Sequence, residues 1–554
     1  MAKGASPFNI RMIYASSKEL IDYGKRLGMN WAVVASSGHK TCERPHEDQP
    51  VYMPDYPRLG KVRTKERLRL VEANRRRVRR LIRHAKKAGL KVIYHTYELA
   101  MPYGFEKAYP ELYSPAIKEY RSDRTPEQRL RQLCVARPEV REALSQKVAE
   151  ICRAFPDLDG FMYTNNESAT LTQVWHRCEH CRNIPFSRMM KLLHDAMKEG
   201  LRRSGNPVRL FVRCWGAHDH DFHYYKQYKK RVDFGVHEIE EKKWLPNRVR
   251  AFKSPRLQFK PSRDIPPFIR SLEGEDTAFV YKATWADVNL HHPLNPWIGK
   301  YKGHDQVCEL SFESCMGWPH TFLVMGKEMQ KRAKLCARRG VNGLCAVTMG
   351  WGGQALRPFF ARPSIWPLHE VNLYLFAALA KDPNADLQAV TEKYLRRRFG
   401  KKLPAELARL LLNAEDIAAD ATNVRGIRAN GQPLDNFYYI ILRYAPMFPR
   451  WETRVRPTPA NLKRIFKEKD RNIVRAQKAL EKIDRLKAKM PAKAYEEFKE
   501  CFSRLLDMAR SHAARQKYYL YLWAFKDGYL KPTMGELDRF QKIVRDLSPR
   551  GRPF

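Results

Sequence analysis

Long apolar runs are missing. Nothing in the sequence approaches the roughly 20 residues that a helix needs to span a bilayer, which excludes a helical membrane protein. The opening Met1-Ala2-Lys3-Gly4-Ala5-Ser6-Pro7 holds no apolar core of the kind a secretory signal requires, so the expected location is cytoplasmic. No glycine-rich phosphate loop or dinucleotide fingerprint is present, and no cofactor is expected. Cysteine is sparse, with 11 spread through 554 residues, and that odd number argues against a secreted disulfide framework. One Cys-x-x-Cys occurs, within His176-Arg177-Cys178-Glu179-His180-Cys181. A zinc site wants four ligands and no second such pair exists, so these thiols read as a reduced structural pair. His218-Asp219-His220-Asp221-Phe222-His223 reads as a solvated loop, and no metal site is expected. Acidic residues are in deficit: 60 Asp and Glu face 103 Lys and Arg, leaving a net charge of +43. That balance favours polyanionic partners, whether nucleic acid, anionic lipid or acidic polysaccharide; the plainer reading is a solvated basic surface.

What is present suffices for a large core, with 44% hydrophobic and 11% aromatic residues. Up to Gly350 short apolar segments alternate with amphipathic helical ones. Strands are expected at 8–15, 31–36, 91–97, 160–164, 208–214, 278–282, 307–312 and 343–349, which makes eight. Helices such as 138–155 and 326–339 lie between them, and Gly28, Gly89 and Gly340 stand where helices should stop ahead of strands. The pattern predicts an α/β fold, a (β/α)8 TIM barrel over residues 1–363. Two connections are long: 36–66, expected over the barrel mouth, and 215–276, expected to hold a helix and a loop at 253–267. From about residue 364 the strand signals stop. Helical periodicity at 368–380, 387–398, 405–421, 461–486 and 494–524 predicts an all-helical C-terminal domain over 364–554. The run Asn74-Arg75-Arg76-Arg77-Val78-Arg79-Arg80 is basic, but Val78, Leu81 and Ile82 make it an outer barrel helix rather than a nucleic-acid grip.

In parallel barrels the reacting groups sit at the C-terminal ends of strands. The fourth strand stops at Asn165, Asn166 and Glu167, all poor strand formers. His95 lies on the third strand and Arg213 ends the fifth. Lys282 and Asp287 close the sixth, Glu309 and Glu313 share a face of the seventh, and Trp351 follows the eighth. Carboxylates facing each other across a sugar are what glycosidic cleavage needs, one protonated to assist the leaving group and one ionised to activate water. Trp215, Trp285, Trp297, Trp318 and Trp351 would supply flat apolar faces for sugar rings. Taken singly each residue reads as structural; as a set on one rim they read as a site.

The same residues resemble the family 67 glycoside hydrolases, the α-glucuronidases. Asn165-Asn166-Glu167 is similar to the family's Asn-Ser-Glu segment, Val212-Arg213 to its strand-five arginine, and Lys282 precedes Asp287 at the family's spacing. The loop His292-Pro293-Leu294-Asn295-Pro296 and the stretch from Pro367 to Gly400 are also similar to the family. The first strand is expected so near the start that the family's N-terminal domain has no counterpart in this sequence. The resemblance implies an inverting enzyme that removes an α-linked uronic acid from acidic oligosaccharides. Glu167 would be the general acid, Asp287 with Glu313 or Glu309 would activate water, and Arg213 and Lys282 would hold the uronate. Asn165, Asn166, His95, Trp215, Trp285 and Trp351 join them as substrate-binding candidates. Inversion implies that the acid and base carboxyls stand roughly 6.5–9.5 Å apart. The resemblance also implies a homodimer through the helical domain. Two readings compete: a neighbouring glycosidase family with another uronic or sulfated sugar, and a non-catalytic basic barrel that binds polyanionic polymers.

Overall fold

The computed structural model describes residues 6–15, 17–35, 50–113, 133–165, 179–181, 183–214, 261–283, 294–311, 322–347, 367–368, 370–400, 403–422, 424, 457–526, 528–531, 533, 535, 538 and 542. Eight parallel strands close into a barrel in sequence order: β1 Ile10–Tyr14, β2 Trp31–Ala35, β3 Lys91–Tyr97, β4 Gly160–Asn165, β5 Arg209–Cys214, β6 Thr277–Lys282, β7 Gln306–Ser311 and β8 Gly343–Val347. The eight expected strands are all here, within a few residues at each end.

The crossovers carry helices α1 Lys18–Leu27, α2 Lys65–Lys87, α3 Pro138–Ala154, α4 Phe186–Ser204, α5 Pro261–Arg270 and α6 Gly326–Arg338. Their ends follow local chemistry. Ser17 and Thr64 cap α1 and α2 by accepting the amides of Leu20 and Arg67. Gly28 ends α1 at φ 94°, in the left-handed region where a Cβ would be strained. Helices α3 and α4 touch at Gly200, where a Cβ would lie 2.5 Å from the Ser145 carbonyl oxygen. The expected loop at 253–267 needs correction, because α5 begins at Pro261. A proline costs nothing at the first helical position, and Ile265, Phe268 and Ile269 then form a buried stripe. That burial outweighs the amides missing at Pro266 and Pro267.

Strand alternation sorts side chains into two cores. Phe161, Tyr163, Leu210, Val212, Phe279 and Leu310 face the helices. Ile10, Met12, Trp31, Ile93, Met162, Phe211, Val280, Val307 and Cys345 fill the barrel lumen. Behind β4, the Tyr163 hydroxyl donates to His194 Nδ1 (3.3 Å), and Nε2 donates to Glu275 (3.0 Å). Burial pushes this imidazole down to about 4, against the pull of Glu275. The unfolded chain therefore takes up a proton near pH 6.5 that the fold refuses. Stability is full above pH 6.5 and falls by about 3 kcal/mol as the pH drops to 4. Urea midpoints of wild type and His194→Gln at pH 7 and pH 4.5 measure this, and the wild type should lose more.

Beyond β8 lie α7 Glu370–Lys381, α8 Leu387–Phe399, α9 Ala405–Thr422, α10 Pro459–Arg485 and α11 Ala492–Lys526. The C-terminal end of α9 is closed by donors from its neighbours: Asn472 Nδ2 to Ile417 O, Lys469 Nζ to Asp420 O and Gln516 Nε2 to Ala421 O. These helices also hold the barrel. The buried Glu415 carboxylate accepts the amides of Lys327 and Glu328 in the first turn of α6, at 2.8 Å each. Asn372 accepts from Met325 N and donates to Leu323 O.

Candidate active site at the C-terminal end of the barrel

The lumen changes character from floor to mouth. Its lower layers are apolar, with Trp31 edge-on to Phe211 at 5.4 Å between ring centres. By the same alternation, the upper layer consists of Tyr14, His95, Thr164, Arg213, Lys282 and Glu309, all buried. Two of these carry opposite charges and meet. The Arg213 guanidinium grips Glu309 in two parallel hydrogen bonds, Nε to Oε1 and Nη2 to Oε2, the latter at 2.9 Å. Its third contact is Nη1 to Thr164 Oγ1 at 3.1 Å. Thr164 also bonds His95 Nε2. A network thus crosses β3, β4, β5 and β7 on top of an apolar floor. Lys282, 2% exposed, is in register with Glu309 on the adjacent strand.

The surroundings fix the protonation of the wall. Burial raises the Tyr14 phenol well above its usual value; Arg213 lowers it in part and Glu309 raises it further. Tyr14 therefore stays a neutral donor, bonded to Met162 Sδ at 3.6 Å and standing edge-on to His95 at 5.6 Å. Beyond Lys282 the chain is pinned by Asn295. Its amide donates to Ala283 O (2.8 Å) and its Nδ2 donates to Lys282 O (2.9 Å). Asn295, from the expected Pro-containing loop, thus binds the strand end that bears the cation.

Of the expected site residues, Arg213, Lys282, Glu309 and His95 share the lumen layer. Asn165 does not. It lies in register with Cys214 on the helix-facing side of the sheet, and its buried Nδ2 makes no hydrogen bond among the described residues. Glu167, Asp287, Glu313, Asn166, Trp215, Trp285 and Trp351 fall outside the described residues. By sequence, the buried Arg213 is expected to pair with a substrate anion. The structure gives it an internal one, Glu309, which neutralises the guanidinium without a ligand.

Three residues went unnoticed in the sequence. Tyr14 and Thr164 were detectable by parity, since Thr164 shares the face of Met162. Glu98, directly after β3, is 1% exposed and donates its amide to Thr164 O at 3.0 Å. A buried acid at a strand end is a signal the sequence does carry.

Among the described residues no three His, Cys, Asp or Glu side chains gather as a metal site would need. Cys181 is buried in the core while the adjacent His180 is exposed, 3.5 Å from Glu179. Nor is any helix among the described residues long and apolar enough to cross a membrane.

No family model matches the sequence, and no curated protein matches it. Among solved structures the chain is similar to one described as a GH138 enzyme targeting pectin rhamnogalacturonan II. The two share 14% identity at a TM-score of 0.57, over 98% of this chain and 76% of that one. At that identity the likeness speaks for the fold: an eight-stranded parallel barrel with a helical C-terminal region.

Proposed function

We propose that this protein is a glycoside hydrolase that removes an α-linked uronic acid from acidic oligosaccharides derived from a polysaccharide, with inversion. The observation that carries the reading is the charged layer of Arg213, Lys282 and Glu309 above an apolar floor, at the strand ends where barrel enzymes react. Low dielectric makes a cation there a strong determinant for an anionic sugar. Support also comes from the resemblance to the α-glucuronidases and from a fold neighbour that is itself a glycoside hydrolase of a pectin.

In this mechanism Glu167 protonates the leaving oxygen, and Asp287 with Glu313 activates water on the opposite face. Lys282 meets the uronate carboxylate. Both Glu309 oxygens already accept from Arg213, so the water-activating role is assigned to Glu313. The reaction uses no cofactor. The helical region is the proposed dimer contact.

A panel of acidic oligosaccharides tests the reading. Release of free uronic acid is expected, with the inverted anomer appearing first by proton NMR. Retention at the anomeric carbon would overturn inversion. Release of only neutral or sulfated sugars would favour a neighbouring specificity. Binding with no turnover across the panel would leave a non-catalytic polyanion-binding barrel.

A further inference from the structure

Helix α2 presents two unlike faces. Val71, Asn74, Val78, Leu81, Ile82 and Ala85 are buried against the barrel. Arg69, Arg76, Arg80, Arg83 and Lys87 are exposed, and their spacings of 7, 4, 3 and 4 residues place them in one stripe. The stripe is about 27 Å long at helical rise. Arg76 lies 3.5 Å from Glu72, and Glu66 stands one turn before Arg69; Arg69, Arg80, Arg83 and Lys87 make no ion pair among the described residues. Some surface arginines are paired, as on α4, where Arg202 and Arg203 are both tied to Glu199 and Arg203 also to Glu142; others, such as Arg26 and Arg270, are exposed with no ion pair among the described residues. The excess charge of this chain is therefore concentrated, in part, into one ridge.

We propose that this ridge is a second, non-catalytic binding surface for a single chain of acidic polysaccharide, a role that rests on the glycosidase reading above. One straight row of cations matches a polymer with one carboxylate per sugar along one strand. Duplex nucleic acid offers two phosphate rails, and proteins that hold single-stranded nucleic acid add aromatic side chains for base stacking. The ridge has no aromatic; Ala73 fills the gap between Arg69 and Arg76. A lipid surface calls for apolar side chains among the cations, and on this helix Leu68 is the one exposed large apolar residue. Because α2 follows the mouth end of β2 and runs back along the barrel, Arg69 lies nearest the mouth and Lys87 farthest from it. A polymer with one end at the mouth would be held along its length.

Fluorescence anisotropy of labelled polygalacturonate, titrated with the full-length protein over a salt series, tests this. The variant Arg69→Gln/Arg80→Gln/Arg83→Gln touches only exposed side chains. It should bind on the order of tenfold more weakly, with a log K against log salt slope flatter by about 2. Uronic acid release from short oligosaccharides should be unchanged. Equal affinity of the variant overturns the proposal, and so does tighter binding of an oligothymidylate of matched charge. Binding is read without turnover, so an inactive protein that still binds through the ridge would sink the hydrolase and spare the surface.

Discussion

Glu309→Ala is expected to destabilise the protein by about 3–5 kcal/mol, the usual consequence of removing one partner of a buried ion pair. Arg213 would keep its bond to Thr164 but lose the carboxylate that grips it. Lys282 stands on the next strand in register, so the deletion also leaves two cations in one dry layer. The side chains below them, Met162, Phe211, Val280 and Val307, are apolar. Removing both charges should cost far less: Arg213→Met/Glu309→Leu is expected to recover most of the loss. Urea denaturation of the wild type, Arg213→Met, Glu309→Leu and the pair closes the cycle. A loss under about 1 kcal/mol for Glu309→Ala would mean that the pair is solvated and the floor wet.

Glu167→Gln is expected to slow uronic acid release from natural oligosaccharides about 100- to 10,000-fold, the range for loss of a positioned general acid. The amide keeps the shape of the side chain but has no proton to give to the departing oxygen. The effect should shrink sharply on a nitrophenyl uronoside, whose leaving group departs without protonation. That contrast separates a lost acid from a misfolded pocket, because a misfolded pocket would slow both substrates alike. Equal rates for wild type and variant on the natural substrate would falsify the assignment.

Strand positions were legible because a parallel barrel repeats one simple unit, and the turn glycines Gly28, Gly89 and Gly340 all have φ near 70–94° as their spacing implied. The helical region was legible for the same reason, from periodicity alone. The pairing inside the lumen was not. Arg213 and Glu309 lie 96 residues apart, and no local pattern states which cation a buried acid will choose. Alternation assigns a face, and that argument would have moved Asn165 off the lumen and brought Thr164 onto it. Helix α5 was missed because proline reads as punctuation when its position within a helix is unknown.

The clamp of Glu415 on α6 has a consequence for the order in which the molecule can be made. The two ends of that contact are 88 residues apart, so at about 5–20 residues per second the capping carboxylate is synthesised about 4–18 s after the amides it will bind. Over the same interval Leu375, Leu387 and Leu412, which line the approach to Gly326, are also still to come. Strand β8 therefore leaves the ribosome beside a helix with an unfinished first turn.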